Sequence, residues 1–195
     1  MKTANIHEFG HVIDRLGIDV NKLGCVMLPV EPFDVFGEGR DELLDRNDLY
    51  FTRDPGRFWI NGDVARNGGH VTLLYGLLQP AWHLEEEGRL VTGVMAGWSN
   101  PHVVHAEGIE IFESPFPDEP YGCVVAKLNV THELADAHAR LSYLPHVDTY
   151  PDYTPHVTLA YVKREQAQDW ADILSLAPLV FETGSRLDLG KRSES

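Results

Sequence analysis

One six-residue segment occurs twice in this chain of 195 residues, and it constrains the fold more than any other feature. The first copy, His70–Tyr75, reads HVTLLY, and the second, His156–Tyr161, reads HVTLAY. Both copies lie in apolar runs that are typical of β-strands. The repetition predicts two related α+β halves, each of which contributes one strand to a central pair.

Strand geometry divides each copy into two faces, because successive side chains point to opposite sides of a strand. Regular alternation places His70, Thr72, His156 and Thr158 on polar faces. The same alternation places Tyr75 and Tyr161 on the opposite, apolar faces. We therefore expect the histidines and threonines to face a cleft and both tyrosines to face away from it.

Two histidines beside two hydroxyls can form an acid–base pair, since histidine exchanges protons near neutral pH. A neutral imidazole can deprotonate an attacking water or ribose hydroxyl, while a protonated imidazole donates to the leaving oxygen. Hydroxyl groups can hydrogen-bond the non-bridging oxygens as charge develops. We expect His70, Thr72, His156 and Thr158 to be catalytic, with no metal or other cofactor.

The two copies resemble the paired H-x-T-x motifs of the two-histidine (2H) phosphoesterase superfamily. The resemblance implies an α+β fold of two pseudo-symmetric lobes, with antiparallel sheets lining a central cleft and helices outside. It also implies metal-independent phosphodiester hydrolysis by His70, Thr72, His156 and Thr158. Members of this superfamily include RNA 2′,3′-cyclic phosphodiesterases similar to 2′-5′ RNA ligase-like proteins. They also include phage anti-CBASS enzymes, which destroy cyclic oligonucleotide immune signals.

The length of the chain predicts one domain of two lobes. One lobe spans residues 23–100 together with the C-terminal strands, the other spans 101–190, and residues 1–22 form a helical addition at the N-terminus. Beside the repeated segments, the pattern predicts strands at 24–30, 102–112, 121–130, 179–182 and 186–189, and helices at 80–95, 131–144 and 165–174. Asn61-Gly62 predicts the turn of a hairpin.

The net charge of −14 bears on the substrate. A protein that follows a long phosphate backbone carries a basic stripe, and no dense cluster of lysine and arginine is found here. The expected partner is therefore a small nucleotide. The acidic charge and small size favour a cyclic oligonucleotide, and the alternative is an RNA 2′,3′-cyclic phosphate. A module that binds a nucleotide without cutting it is a third possibility, although binding alone does not require two proton-transfer groups.

Location follows from apolar content and cysteine usage. Cys25 and Cys123 are far apart, as in proteins of a reducing compartment. No segment is long enough to cross a bilayer, and residues 1–11 contain no apolar stretch typical of a signal peptide. We therefore expect a cytoplasmic protein that does not bind membranes.

Three further residues are candidates for substrate contact. Tyr153 and Trp98 offer rings on which a base could stack, and Lys163 offers a charge to a phosphate. A separate motif, His7-Glu8-Phe9-Gly10-His11, matches the H-E-x-x-H signature of zinc metalloproteases. Its glycine weakens a helix and no third-ligand motif follows, so a metalloprotease remains only a remote alternative.

Overall fold

The computed structural model describes residues 23–52, 60–78, 84–114, 119–148 and 152–191. Within these ranges the strands are β1 (Gly24–Pro29), β2 (His70–Leu77), β3 (Val103–Glu113), β4 (Tyr121–Leu128), β5 (His156–Lys163), β6 (Val180–Glu182) and β7 (Asp188–Lys191). The α-helices are α1 (Leu84–Val94), α2 (His132–Leu141) and α3 (Ala167–Leu174). The predicted N-terminal helical addition lies outside the described residues.

The strands form one antiparallel, curled sheet in the order β6-β3-β4-β5-β2-β1-β7. The two copies of the repeated segment are β2 and β5, and they are neighbours at the centre. Outward from this pair, β1 and β7 follow on one side, and β4, β3 and β6 on the other. The expected α+β fold is confirmed, with the strands joined in a single sheet rather than in separate sheets.

The helices cover one face of this sheet and enclose the main core. Helix α2 begins after Thr131, whose hydroxyl accepts a hydrogen bond from the Leu134 N–H at 3.3 Å, as expected of a helix N-cap. Its apolar side packs against buried strand residues such as Val71 and Leu73. No helix within the described ranges is long and apolar enough to span a membrane. The opposite face of the sheet carries no α-helix of the described chain, and we call it the open face.

The central strands pair directly at one position, Val71 with Val157, and then diverge. Beyond it, β5 pairs with Asp63 at Ala160, and the Tyr161 N–H donates to the Gly62 carbonyl at 2.8 Å. Residues 57–59 of the hairpin predicted around Asn61-Gly62 lie outside the described residues, and the residues that follow its turn contact β5. Strand β2 also forms an isolated bridge beyond the central pairing, from Leu77 to His146.

Candidate active site

The central pairing brings the four polar residues of the repeat together. In an antiparallel ladder, the Val71–Val157 pair places His70 opposite Thr158 and Thr72 opposite His156. Opposite residues share a face, and the two valines are fully buried on the helix-covered side. The histidines and threonines therefore lie together on the open face, where each is at least partly accessible to solvent.

Strand β5 contains a β-bulge immediately after Thr158. Thr158 pairs with Val125 of β4, and Tyr161 pairs with Cys123 of the same strand. Three residue steps along β5 therefore match only two steps along β4. Leu159 is the extra residue, and a bulge of this kind shifts the alternation of side chains. Tyr161 therefore lies on the same face as Thr158.

Strand β2 has the same bulge at the same position of the repeat. Thr72 pairs with Met27 and Tyr75 pairs with Cys25, which leaves Leu73 as the extra residue. The predicted orientation of both tyrosines was therefore wrong, because it assumed regular alternation through the whole segment. Tyr75 and Tyr161 belong to the open face.

A second, shorter repeat accompanies the bulges. Gly24-Cys25-Val26 in β1 recurs as Gly122-Cys123-Val124 in β4. The cysteine of each copy pairs with the tyrosine of the adjacent central strand. This repeat was missed by the sequence analysis, and it is the signal that could have placed cysteine, threonine and tyrosine on one face.

The surroundings of His156 fix its tautomer and tune its charge. Its Nδ1–H donates to the Thr154 carbonyl at 2.9 Å, which leaves Nε2 for proton exchange. Burial, including the edge of the Phe112 ring at 5.0 Å between centroids, lowers the pKa of His156. The Thr154 carbonyl and the Glu110 carboxylate oppose this shift, because both stabilise the imidazolium.

His70 has a different set of neighbours. Loss of hydration within the curved sheet lowers the pKa of His70, and repulsion from His156 lowers it further. The Asp188 carboxylate acts in the opposite direction. Since the two imidazoles interact, they titrate as a pair with two macroscopic pKa values.

An apolar cluster lies beside Thr158 on the open face. It consists of Ile60, Tyr121, Cys123 and Val125, with Tyr50, Phe112 and Tyr161 packed against it. The Cys123 Sγ lies 3.9 Å from the Thr158 hydroxyl oxygen. Burial raises the pKa of the Cys123 thiol to about 11, so at neutral pH it is a neutral neighbour of the threonine and not a nucleophile.

The three residues predicted to contact the substrate do not lie beside the histidines. The Trp98 indole N–H donates to the Glu133 carbonyl at 2.8 Å, and the ring packs against the main core. Tyr153 also packs against that core and stacks on His138 of α2, with ring centroids 4.2 Å apart. Lys163 ends β5, about 23 Å along the strand from His156 at the usual rise per residue. The rings of the two aromatic residues predicted to stack on a base thus pack against the helix-covered core.

The described residues contain no group of three or more His, Cys, Asp and Glu side chains placed to hold a metal ion. The H-E-x-x-H motif, His7–His11, lies outside the described residues.

Comparison with known proteins gives a match only at the level of structure. No protein-family model and no curated protein matches the sequence. Two solved structures of Usb1 from Kluyveromyces marxianus, one of them with uridine monophosphate, each match with a TM-score of 0.54. This chain shares its overall fold with Usb1.

The match extends over nearly the whole of both proteins. It covers 89% of this chain and 96% of Usb1 in the first structure, and 90% and 97% in the structure with uridine monophosphate. Sequence identity is 13% in both, so the likeness concerns the fold.

Proposed function

We propose that this chain is a metal-independent phosphodiesterase that acts on the 3′ end of a short RNA, with a 2′,3′-cyclic phosphate as the group attacked. The observation that carries the proposal is the central strand pair. It sets His70 beside Thr158, and Thr72 beside His156, on a face that no helix of the described chain covers. Two proton-transfer groups and two hydroxyls at adjacent positions can supply the proton transfers and the charge stabilisation for metal-independent cleavage of a phosphodiester.

The environments of the histidines favour different roles. His156 is the acid, because its Nδ1–H is held by the Thr154 carbonyl and Glu110 stabilises the imidazolium. His70 is the base, because a charged His156 disfavours a second positive charge nearby. A neutral His70 and a protonated His156 form the active state.

The reaction follows from these roles. A water attacks the phosphorus of the cyclic phosphate and gives its proton to His70. The bond from phosphorus to one ribose oxygen breaks, and that oxygen takes the proton from His156. Thr72 and Thr158 donate hydrogen bonds to the non-bridging oxygens, whose negative charge increases in the transition state. Proton exchange with solvent then restores the starting state of both imidazoles.

The choice of an RNA end over a cyclic oligonucleotide is supported by the structural match. One of the matching Usb1 structures was solved with uridine monophosphate, a single nucleotide. The sequence-based preference for a cyclic oligonucleotide rested on charge and size, and neither distinguishes it from a short RNA. The net charge of −14 still disfavours a long RNA, since the sequence has no dense cluster of lysine and arginine to offset repulsion of the RNA phosphates.

The test is a substrate panel with purified protein treated with EDTA. The panel contains uridine 2′,3′-cyclic phosphate, a short oligouridylate ending in a 2′,3′-cyclic phosphate, and cyclic di- and trinucleotides. We expect turnover of the first two and its loss in His70→Ala and His156→Ala. His132→Ala, which changes an exposed histidine at the start of α2, is the matched control and should retain full activity.

Three results would overturn parts of the proposal. Preferred cleavage of the cyclic oligonucleotides would replace the substrate class and keep the chemistry. Tight binding of the oligouridylate without turnover would show a nucleotide-binding module. Full activity in both histidine variants would remove the two-histidine mechanism.

A further inference from the structure

Asp188 lies in a row of paired residues on the open face, which runs across three neighbouring strands and ends at Thr72 of the first repeat copy. Asp188 of β7 pairs with Met27 of β1, and Met27 pairs with Thr72 of β2. Paired residues share a face, so the carboxylate belongs to the same surface as Thr72 and His70. It is close enough to His70 to favour the charged form of that imidazole.

Glu110 lies at the end of the equivalent row of paired residues, which runs across β3, β4 and β5. Glu110 of β3 pairs with Val125 of β4, and Val125 pairs with Thr158 of β5. Its carboxylate acts on His156 as Asp188 acts on His70. Because β3 and β7 stand in equivalent places on either side of the central pair, the two carboxylates occupy equivalent positions.

We propose that Asp188 and Glu110 are a symmetry-related pair of positioning residues, each of which stabilises the protonated imidazole of the histidine in its own half. This inference rests on the proposed function, because the proton on each imidazole matters only if the histidines exchange protons with a substrate. Neither carboxylate contacts the reacting atoms in this account. Each acts through a histidine.

The two halves differ at one position beside the histidines. Lys127 of β4 pairs with His156, and its Nζ lies 3.2 Å from Glu110 and 3.7 Å from Glu107. The residue that pairs with His70 is Pro29, which carries no charge. Lys127 therefore offsets part of the Glu110 charge in one half, and Pro29 offers no such compensation in the other.

Each imidazole has charged or titratable neighbours on the strands that pack around it within the described chain. His70 faces His156 from β5 and Asp188 from β7, with uncharged Pro29 at its side. His156 faces Lys127 from β4, Glu110 from β3 and His70 from β2. Changing one carboxylate should therefore move one imidazole far more than the other.

The experiment is a titration of the histidine side chains by NMR, which requires no substrate. The signals of His70 and His156 are assigned by their disappearance in His70→Gln and His156→Gln. We expect Asp188→Asn to lower the pKa of His70, and Glu110→Gln to lower the pKa of His156. Lys127→Met should raise the pKa of His156, because it removes the cation that offsets Glu110.

The matched control is Glu113→Gln. Glu113 lies on the same strand as Glu110 but pairs with the buried Gly122 on the helix-covered side and binds Arg164 at 3.0 Å. It should move neither titration. A carboxylate variant that keeps its fold and leaves its histidine at the wild-type pKa would overturn the inference, as would equal shifts in Glu113→Gln.

The pH dependence of turnover separates this inference from the proposed function. With His70 as base and His156 as acid, Asp188→Asn should shift the acidic limb of the profile to lower pH. Glu110→Gln should shift the alkaline limb to lower pH. An active enzyme whose limbs stay in place would refute the role of the carboxylates and leave the proposed function standing. Absence of turnover in the wild-type protein would refute the proposed function, while the NMR result could still hold.

Discussion

The side chain of His138 stabilises the bulge in β2, and replacing it tests how much this contact contributes to the stability of the fold. Its Nδ1–H donates to the carbonyl of Leu73, the extra residue of the bulge, at 2.8 Å. On its other side the ring is stacked on Tyr153, with planes only 5° from parallel. The fully buried Leu73 leaves its carbonyl little access to water.

The expected magnitude follows from the two contacts of His138. Leaving a buried carbonyl without its donor costs about 1–3 kcal/mol, and losing a stacked aromatic pair costs about 0.5–1.5 kcal/mol. His138→Ala removes both contacts and should lower the free energy of unfolding by about 2–4 kcal/mol. His138→Phe keeps a ring and should lose only the hydrogen-bond contribution, while His138→Gln keeps a donor and should lose only the stacking contribution.

The assay is urea unfolding followed by far-UV circular dichroism, with His132→Phe as an exposed control that should change stability little. Unfolding free energies within about 0.5 kcal/mol of wild type for His138→Phe would show that the hydrogen bond to Leu73 contributes nothing. That result would refute the account of how the bulge is held.

Three further predictions concern stability. Burial raises the pKa of the Asp63 carboxyl, so ionisation of Asp63 destabilises the native state above that pKa. Asp63→Asn should therefore be more stable than the wild type at pH 8, and urea unfolding at pH 8 and pH 4 should show this gain shrinking as the pH falls. Gly76 has φ 99°, and a Cβ added there would clash with the Val147 carbonyl. Gly76→Ala should therefore lower the free energy of unfolding, measured by thermal unfolding, by about 1–3 kcal/mol. Gly108→Ala is the control and should cost much less, because the space around Gly108 is open. The buried Tyr153 hydroxyl has no hydrogen-bond partner within the described chain. Tyr153→Phe should therefore be about 1 kcal/mol more stable than the wild type and should keep its turnover. A loss of turnover would support the predicted role of Tyr153 in substrate contact.

The positions of the central residues could be predicted because the sequence repeats them. Two identical histidine-threonine pairs in apolar runs are compatible with two neighbouring strands, and the pairing of Val71 with Val157 agrees with that prediction. Element types were also predictable, since Thr131 caps α2 as its sequence indicates. These features depend on local patterns that the chain carries in full.

The orientation of Tyr75 and Tyr161 could not be predicted from alternation, because alternation assumes a regular strand. The bulges depend on pairing with β1 and β4, and on the donation from His138 to the Leu73 carbonyl, all of which are contacts between distant parts of the chain. A similar reason applies to Trp98, whose indole binds a helix carbonyl that no local pattern points to.

The positions of Asp188 and Glu110 also needed the structure. One lies near the C-terminus and the other in the middle of the chain, and neither is part of a motif. Their equivalence follows from the strand order and the register, which place each at the end of a row through a threonine. Sequence alone gives no means of joining such distant positions.

The central claim is that His70 and His156 act as one acid–base pair, and a double-mutant cycle on turnover tests it most directly. The rate of hydrolysis of the oligouridylate 2′,3′-cyclic phosphate is measured in EDTA for the wild type, His70→Ala, His156→Ala and the double variant. Loss of either proton-transfer group should lower kcat about 10²- to 10⁴-fold. The double variant should be little slower than the slower single variant, since each histidine depends on the other. Wild-type kcat in either single variant, or losses that multiply in the double variant, would contradict the account.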